Sequence, residues 1–200
     1  NGKVVTNLAT KVSNSDEVHI GKKTIREDKN KISTVIVYNK PKGEIVSKKD
    51  PQGRKTIYDS LDHKYKHFLS VGRLDYASEG LLLLSDSVEI VDALMHSDLE
   101  RVYKIKVNGV ITKPVEQAMQ NGLEIEDATG GAFKTTKIKS MSFAPFLAYD
   151  ILTNGEKFSK IKVVISEGKN RELRRFFAHF GLDVLDLKRL EYGGISLNNL

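Results

Sequence analysis

Phe68-Leu69-Ser70-Val71-Gly72-Arg73-Leu74-Asp75-Tyr76-Ala77-Ser78-Glu79-Gly80-Leu81-Leu82-Leu83-Leu84-Ser85 is the stretch from which the fold of this chain can be read. Phe68 to Val71 is apolar and short enough for a buried strand, and Gly80 to Ser85 is another such run. The polar segment from Tyr76 to Gly80 makes a turn, so Asp75 falls where a strand ends and a loop begins. A carboxylate there is fixed by rigid flanks yet open to a cleft, as a catalytic acid, base or nucleophile requires. Arg73, two residues earlier, points to the same side of an extended backbone. A turn-capping aspartate beside a solvated arginine has the same local sequence, so the rest of the chain must decide between the two.

The 200 residues suit one medium domain, or one domain and a fragment. With 40% apolar and 29% charged residues the composition is that of a soluble globular protein. No apolar run reaches the length of a membrane span or a signal peptide, so no membrane partner is expected. Cysteine is absent, which excludes disulfides and thiolate zinc sites and fits a reducing cytoplasm. His63 and His67 stand four apart, but Lys64-Tyr65-Lys66 between them supplies no acidic partner, so they read as surface residues and no metal site is expected. The net charge of +6 fits a polyanionic partner. Lys160 to Arg175 holds six basic residues against two acidic ones, and Lys22 to Lys31 is a second basic cluster. The chain opens Asn1-Gly2 in the middle of an apparent hairpin, so a piece of a longer protein is expected.

Residues 1–27 read as a small β element, with Val4-Val5 after an Asn-Gly turn and Val18, Ile20 and Ile25 around a turn at Gly21-Lys22. Polar residues at 28–32 make a linker. Strands follow at Thr34–Tyr38 and, after the turn Asn39-Lys40-Pro41-Lys42-Gly43, at Glu44–Ser47. Thr56 to Leu61 is a short helix. The basic loops around Lys40 and Lys42 can face a phosphate backbone or simply be solvated. Beyond the leucine run, Asp86 with Glu89 three residues on is a capping box for a helix whose stripe is Val88, Val91, Leu94 and Met95. Val102 to Val107 alternates as a strand, with Tyr103, Ile105 and Val107 on one face and Lys104 and Lys106 on the other. Thr112 to Gly122 is a helix with Pro114 in its first turn and Gly122 as its cap. Strands are then expected at Phe133–Met141, Ala148–Leu152 and Lys160–Ile165. Leu173, Phe176, Phe177 and Phe180 form an i, i+3, i+4, i+7 stripe, so that helix packs on a sheet. Arg171 and Arg175 lie opposite the stripe, to be solvated or meet phosphate, and Arg174 lies at its edge. A strand at Val184–Leu187 and a loop through Gly193-Gly194 close the pattern.

Taken in order, Gly72-Arg73-Leu74-Asp75, Gly80 to Leu84, Tyr103 in a basic strand, and Glu167-Gly168-Lys169-Asn170-Arg171-Glu172-Leu173-Arg174-Arg175-Phe176 resemble the RsuA/RluB-type bacterial ribosomal RNA pseudouridine synthases. So do Asn39 to Gly43 and Leu187-Lys188-Arg189-Leu190 with Gly193 and Ile195-Ser196-Leu197. Residues 1–27 are similar to the closing strands of an S4 RNA-binding domain. The resemblance implies that Asp75 assists breakage of the uridine N-glycosidic bond before the base rejoins through C5. Arg174 pairs with it, Tyr103 stacks on the target base and Leu173 lines the pocket. Arg73 helps to fill the space left by the flipped base. Lys169, Arg171, Arg175, Lys40 and Lys42 are candidates for the RNA backbone. This chemistry calls for no cofactor and no metal. The expected partner is ribosomal RNA or a ribosomal precursor particle, met by a monomer. Ser85-Asp86-Ser87-Val88 departs from the family's usual Thr-Asn-Asp-Gly, and the loop Ser97–Arg101 is shorter than usual; both bear on substrate choice.

The expected fold is α+β, a mainly antiparallel mixed sheet with flanking helices and a central RNA-binding cleft, the catalytic domain being residues 33–200. Asp75 to Gly80 resembles the RluB/RluE side of the family, which implies large-subunit rather than small-subunit RNA as the substrate. A non-catalytic RNA-binding assembly factor and a different Asp-dependent enzyme on nucleosides or sugars are the alternatives.

Overall fold

The computed structural model describes residues 2–7, 9–13, 15–25 and 32–197. They fall into two compact units, Asn1–Ser33 and Thr34–Leu200. In the first, β1 (Val18–Ile20) and β2 (Lys23–Ile25) pair antiparallel around Gly21-Lys22, with Val18 opposite Ile25. No strand forms at Val4-Val5, where Val4 is 87% exposed. Among the described residues nothing pairs with that backbone, and an unpaired strand has no ladder to hold it. The linker expected at 28–32 falls on residues 28–31, outside those described, and on irregular Ile32.

The second unit runs β3 (Val35–Lys40), α1 (Ile57–Ser60), β4 (Leu69–Ser70), β5 (Glu79–Ser85), α2 (Val88–Met95), β6 (Arg101–Asn108), α3 (Lys113–Asn121), β7 (Leu123–Ile125), β8 (Met141–Phe143), β9 (Ala148–Thr153), β10 (Phe158–Ile165), α4 (Glu172–His179), β11 (Val184–Tyr192) and β12 (Ile195–Ser196). The main sheet has the order β3-β5-β11-β6-β10-β9, with β4 beside β5 and β12 beside β11. The β5–β11 pairing is parallel and the others are antiparallel, so the architecture is the expected α+β with a mixed sheet.

The unbroken leucine run is explained by β5 being covered on both faces. Leu82 and Leu84 enter the main core, while Leu81 and Leu83 pack with Val71, Val91 of α2 and Tyr192 of β11. On β6 the alternation buries Tyr103, Ile105 and Val107, with Ile105 directly opposite Ile161 of β10 and Leu187 of β11. The opposite face of the same strands carries Lys104 across from Lys162 and Lys188, and Lys106 across from Lys160. Over the apolar face lies α4, whose Leu173, Phe176 and Phe177 are buried; Phe176 meets the rings of Phe143 and Phe146 at 5.5 and 4.8 Å.

Five expectations change. Ser87, one residue later than Asp86, caps α2 by accepting from the Ile90 N–H, while Asp86 accepts from the Thr34 N–H. Glu44–Ser47 contributes a single bridge, Ile45 to Thr56, because buried Glu44 turns inward to accept from Tyr38, Ser60 and Lys55. Of Phe133–Met141 only Met141 is in a strand. The residues before it wrap around the Arg175 guanidinium, which takes the Ala128 and Ile138 carbonyls and Thr136 Oγ1, so those groups cannot join a ladder. Arg175 is accordingly 1% exposed rather than solvated. Finally, Arg171 precedes α4 instead of riding on it, with φ of 52°.

At the β5–β11 crossing Gly80 has φ of +107°, and a Cβ there would lie 2.1 Å from the Arg189 carbonyl oxygen. Gly80→Ala should therefore destabilise the second unit by roughly 3 kcal/mol, read as a lowered urea midpoint at unchanged slope. Glu172 opens α4 buried, accepting from the Lys169 N–H at 3.0 Å. Burial, aided by the Glu167 charge, raises its pKa to about 7. Since that value lies above the unfolded one, the folded state binds the extra proton, and this stability is present at low pH and lost as pH rises through about 7. Glu172→Gln should flatten that fall in a urea titration across pH.

Candidate active site

Asp75 is delivered by two anchors. Val71 donates its N–H to the Leu83 carbonyl at 2.8 Å, and Leu74 is buried in the main core. The chain then turns, Ser78 N–H to Asp75 carbonyl at 3.0 Å, and Asp75 faces a cavity. Lys40 holds this turn from below. It is 0% exposed, and its Nζ donates to the carbonyls of Ser78 at 2.8 Å, Pro41 at 3.0 Å and Asp75 at 3.1 Å. Burial pushes its ammonium pKa below the ordinary lysine value. Lys40 therefore does not face a phosphate, as the sequence suggested; it positions the backbone of Asp75.

Two guanidiniums meet the Asp75 carboxylate from the start of α4. Arg171 Nη1 donates to Oδ2 at 2.9 Å, and Arg174 Nε lies 3.4 Å from the same oxygen. Arg174 is also tied to Ser78 Oγ at 3.1 Å and to the Val184 carbonyl at 2.9 Å. Burial and the adjacent Arg171 charge lower its pKa. Arg171, expected to be solvated or on phosphate, instead binds Asp75 and the Gly131 carbonyl, with its guanidinium 4.4 Å from the Phe133 ring centroid. The left-handed turn at Arg171 makes this possible, since it departs from the helical spiral that would carry the side chain outward. Arg175, the other residue expected on phosphate, lies in the core with its loop. Lys169 pairs with Glu167 at 2.8 Å, and Lys42 pairs with Asp186.

The cavity has a volume of about 240 Å³. Tyr103, Leu173, Ile165 and Leu187 give it apolar walls, exposed Arg73 lies on its lining, and Asp75, Arg171 and Arg174 form its charged side. Among the described residues no group hydrogen-bonds the Tyr103 hydroxyl. Glu172 also lines the cavity, but its carboxyl already serves the Lys169 N–H. Such a space, with apolar walls beside a carboxylate held by two arginines, can take a planar polar ring with its attached group next to the carboxylate. Among the described residues no group of three or more His, Asp or Glu side chains could hold a metal ion. Sequence reasoning missed Ser78, Arg101, Arg189 and Tyr192, which line the same cavity. Alternation in β6 was the available signal for Arg101, which shares the Tyr103 face.

The chain is similar to known proteins of one family. Residues 34–179 match the family model described as RNA pseudouridylate synthase. A Helicobacter pylori protein named as an uncharacterised RNA pseudouridine synthase is 58% identical over 193 residues, covering 96% of this chain and 74% of that one. The ribosomal large subunit pseudouridine synthase B of Bacillus subtilis is 34% identical, covering 100% of this chain and 77% of its own. A crystal structure of a pseudouridylate synthase superposes with a TM-score of 0.66 at 24% identity, covering 98% of this chain and 77% of that one, which establishes the fold. Among the described residues no helix is long and apolar enough to cross a membrane. With residues 34–179 matched by the family model, and relatives at 58% and 34% identity spanning nearly all of it, the chain belongs to the RNA pseudouridylate synthase family.

Proposed function

We propose that this protein converts a uridine of ribosomal RNA, in the large subunit, to pseudouridine, and that residues 33–200 are its catalytic domain. The observation that carries the reading is the placement of Asp75 in one cavity with Tyr103, Leu173 and Arg174. The name of the Bacillus subtilis relative supports the substrate. Asp75 assists cleavage of the bond between N1 and C1′, either by bonding covalently or by stabilising the developing positive charge. Arg171 and Arg174 fix the carboxylate in place, so little reorganisation is needed when charge develops. The freed uracil turns on the Tyr103 ring and forms the C5–C1′ bond. C5 then loses its proton and N1 gains one, so the product is an isomer of the substrate. Reaching a base held in an RNA stack requires flipping it out, and Arg73, exposed on the cavity lining, fills the space it leaves. We further propose that the protein acts as a monomer in the cytoplasm and that its first unit is the closing part of an S4 RNA-binding domain.

Tritium release from C5-tritiated ribosomal RNA transcripts tests the reading. The parent should release tritium, and Asp75→Asn should release none while RNA binding, measured by filter retention, is unchanged. Equal release from both would remove Asp75 from its role. Arg174→Gln, which loses its contacts with both the carboxylate and Ser78, should lower kcat roughly a hundredfold with a smaller change in KM; a change confined to KM would make Arg174 a binding residue.

A further inference from the structure

The cavity beside Asp75 has a second charged wall that the isomerisation does not use. Arg189 of β11 lies directly across from Tyr103 of β6 on one side and Gly80 of β5 on the other. It is 4% exposed, and its Nε donates to the Leu81 carbonyl at 2.7 Å. Its Nη2 is buried without a hydrogen-bond partner. Arg101 is 7% exposed and donates to the Tyr192 hydroxyl at 3.1 Å and to the Leu99 and Ser166 carbonyls. Both guanidiniums approach the Tyr192 ring, at 4.8 Å for Arg101 and 5.2 Å for Arg189. Among the described residues neither has a carboxylate within ion-pair distance, in contrast to Arg171 and Arg174.

Two buried guanidiniums around one ring, with no carboxylate within ion-pair distance of either, repel each other and are costly to keep dry. A neutral carbonyl from a ligand would satisfy the free N–H but leave both guanidiniums without a direct ion pair. A phosphate answers both, and a guanidinium fork matches its oxygens. We propose that Arg189, backed by Arg101, is an anion subsite that takes a phosphate of the RNA backbone next to the uridine held on Tyr103. The subsite deepens, and rests on, the reading of this cavity as a nucleotide site.

The test is thermal unfolding in inorganic phosphate at constant ionic strength, with chloride as the replacement anion. Phosphate should raise the Tm of the parent and of Lys113→Gln, a change on an exposed helix face. The rise should be lost in Arg189→Gln and reduced in Arg189→Lys, which keeps the charge but not the fork. No rise in the parent, or a full rise in an Arg189→Gln protein with the parent's circular dichroism, overturns the proposal. If Arg189→Gln does not fold, Arg189→Lys and Arg101→Lys decide, and an undiminished rise in both overturns it. Tritium release run in parallel separates the two readings. A parent that releases tritium without a phosphate-dependent rise removes the subsite and leaves the isomerase. A rise that depends on Arg189, without tritium release, supports the anion site and removes the isomerase.

Discussion

A cation withdrawn from water must be met by acceptors, and the loops of this site take their shape from meeting three of them. Lys40 gathers the carbonyls of Pro41, Asp75 and Ser78; Arg174 takes Ser78, Val184 and the Asp75 carboxylate; Arg175 takes the Ala128 and Ile138 carbonyls with Thr136 and Asn170. The turn from Asp75 to Ser78 is thus gripped twice, once through its backbone and once through a side chain. Hydrogen bonds to a charged donor are roughly twice as strong as neutral ones, and breaking a buried ionic contact costs about 3–5 kcal/mol.

The same constraint divides the basic residues into groups with different work. Those between Lys160 and Arg175 look like one patch in sequence, yet Lys160 and Lys162 stand on the face of the sheet opposite Tyr103, while Lys169 is paired with Glu167. Arg171 and Arg174 converge on the carboxylate, and Arg175 is in the core. The surplus of positive charge therefore does not describe a single RNA-facing surface. Part of it is internal scaffolding, and part lies on a solvated lysine-rich face formed by β6, β10 and β11.

Much of the architecture was legible because burial imposes simple periods. The leucine run, the alternation in β6, the stripe of α4 and the Pro114–Gly122 helix all follow from which faces are covered; Asp75, expected at a strand end, lies in the turn beyond β4, which stops at Ser70. What was not legible depended on partners distant in sequence. Helical projection puts Arg171 and Arg175 on the outer face, toward solvent or phosphate, but one lies before the helix in a left-handed turn and the other recruits a loop some forty residues upstream. Lys40 sits in a stretch that reads as an ordinary basic turn, and nothing local reveals that three carbonyls enclose it. In sequence Arg189 is only one residue of a basic strand; its place in the wall of the cavity depends on the β11 register against β6.

The position of β11 has a consequence for how the chain acquires its shape. This strand lies between β5 and β6 in the sheet, yet it follows every other strand of that path in sequence. Until residues 184–192 are available, β3 with β5 and β6 with β10 and β9 are two separate sheets with open edges. Contacts so distant along the chain are slow to form. During synthesis the two halves must wait, each exposing an unpaired edge strand that invites association with other chains. Closure of the sheet and assembly of the walls around Asp75 are then one event, so a partly made chain holds no partly made site.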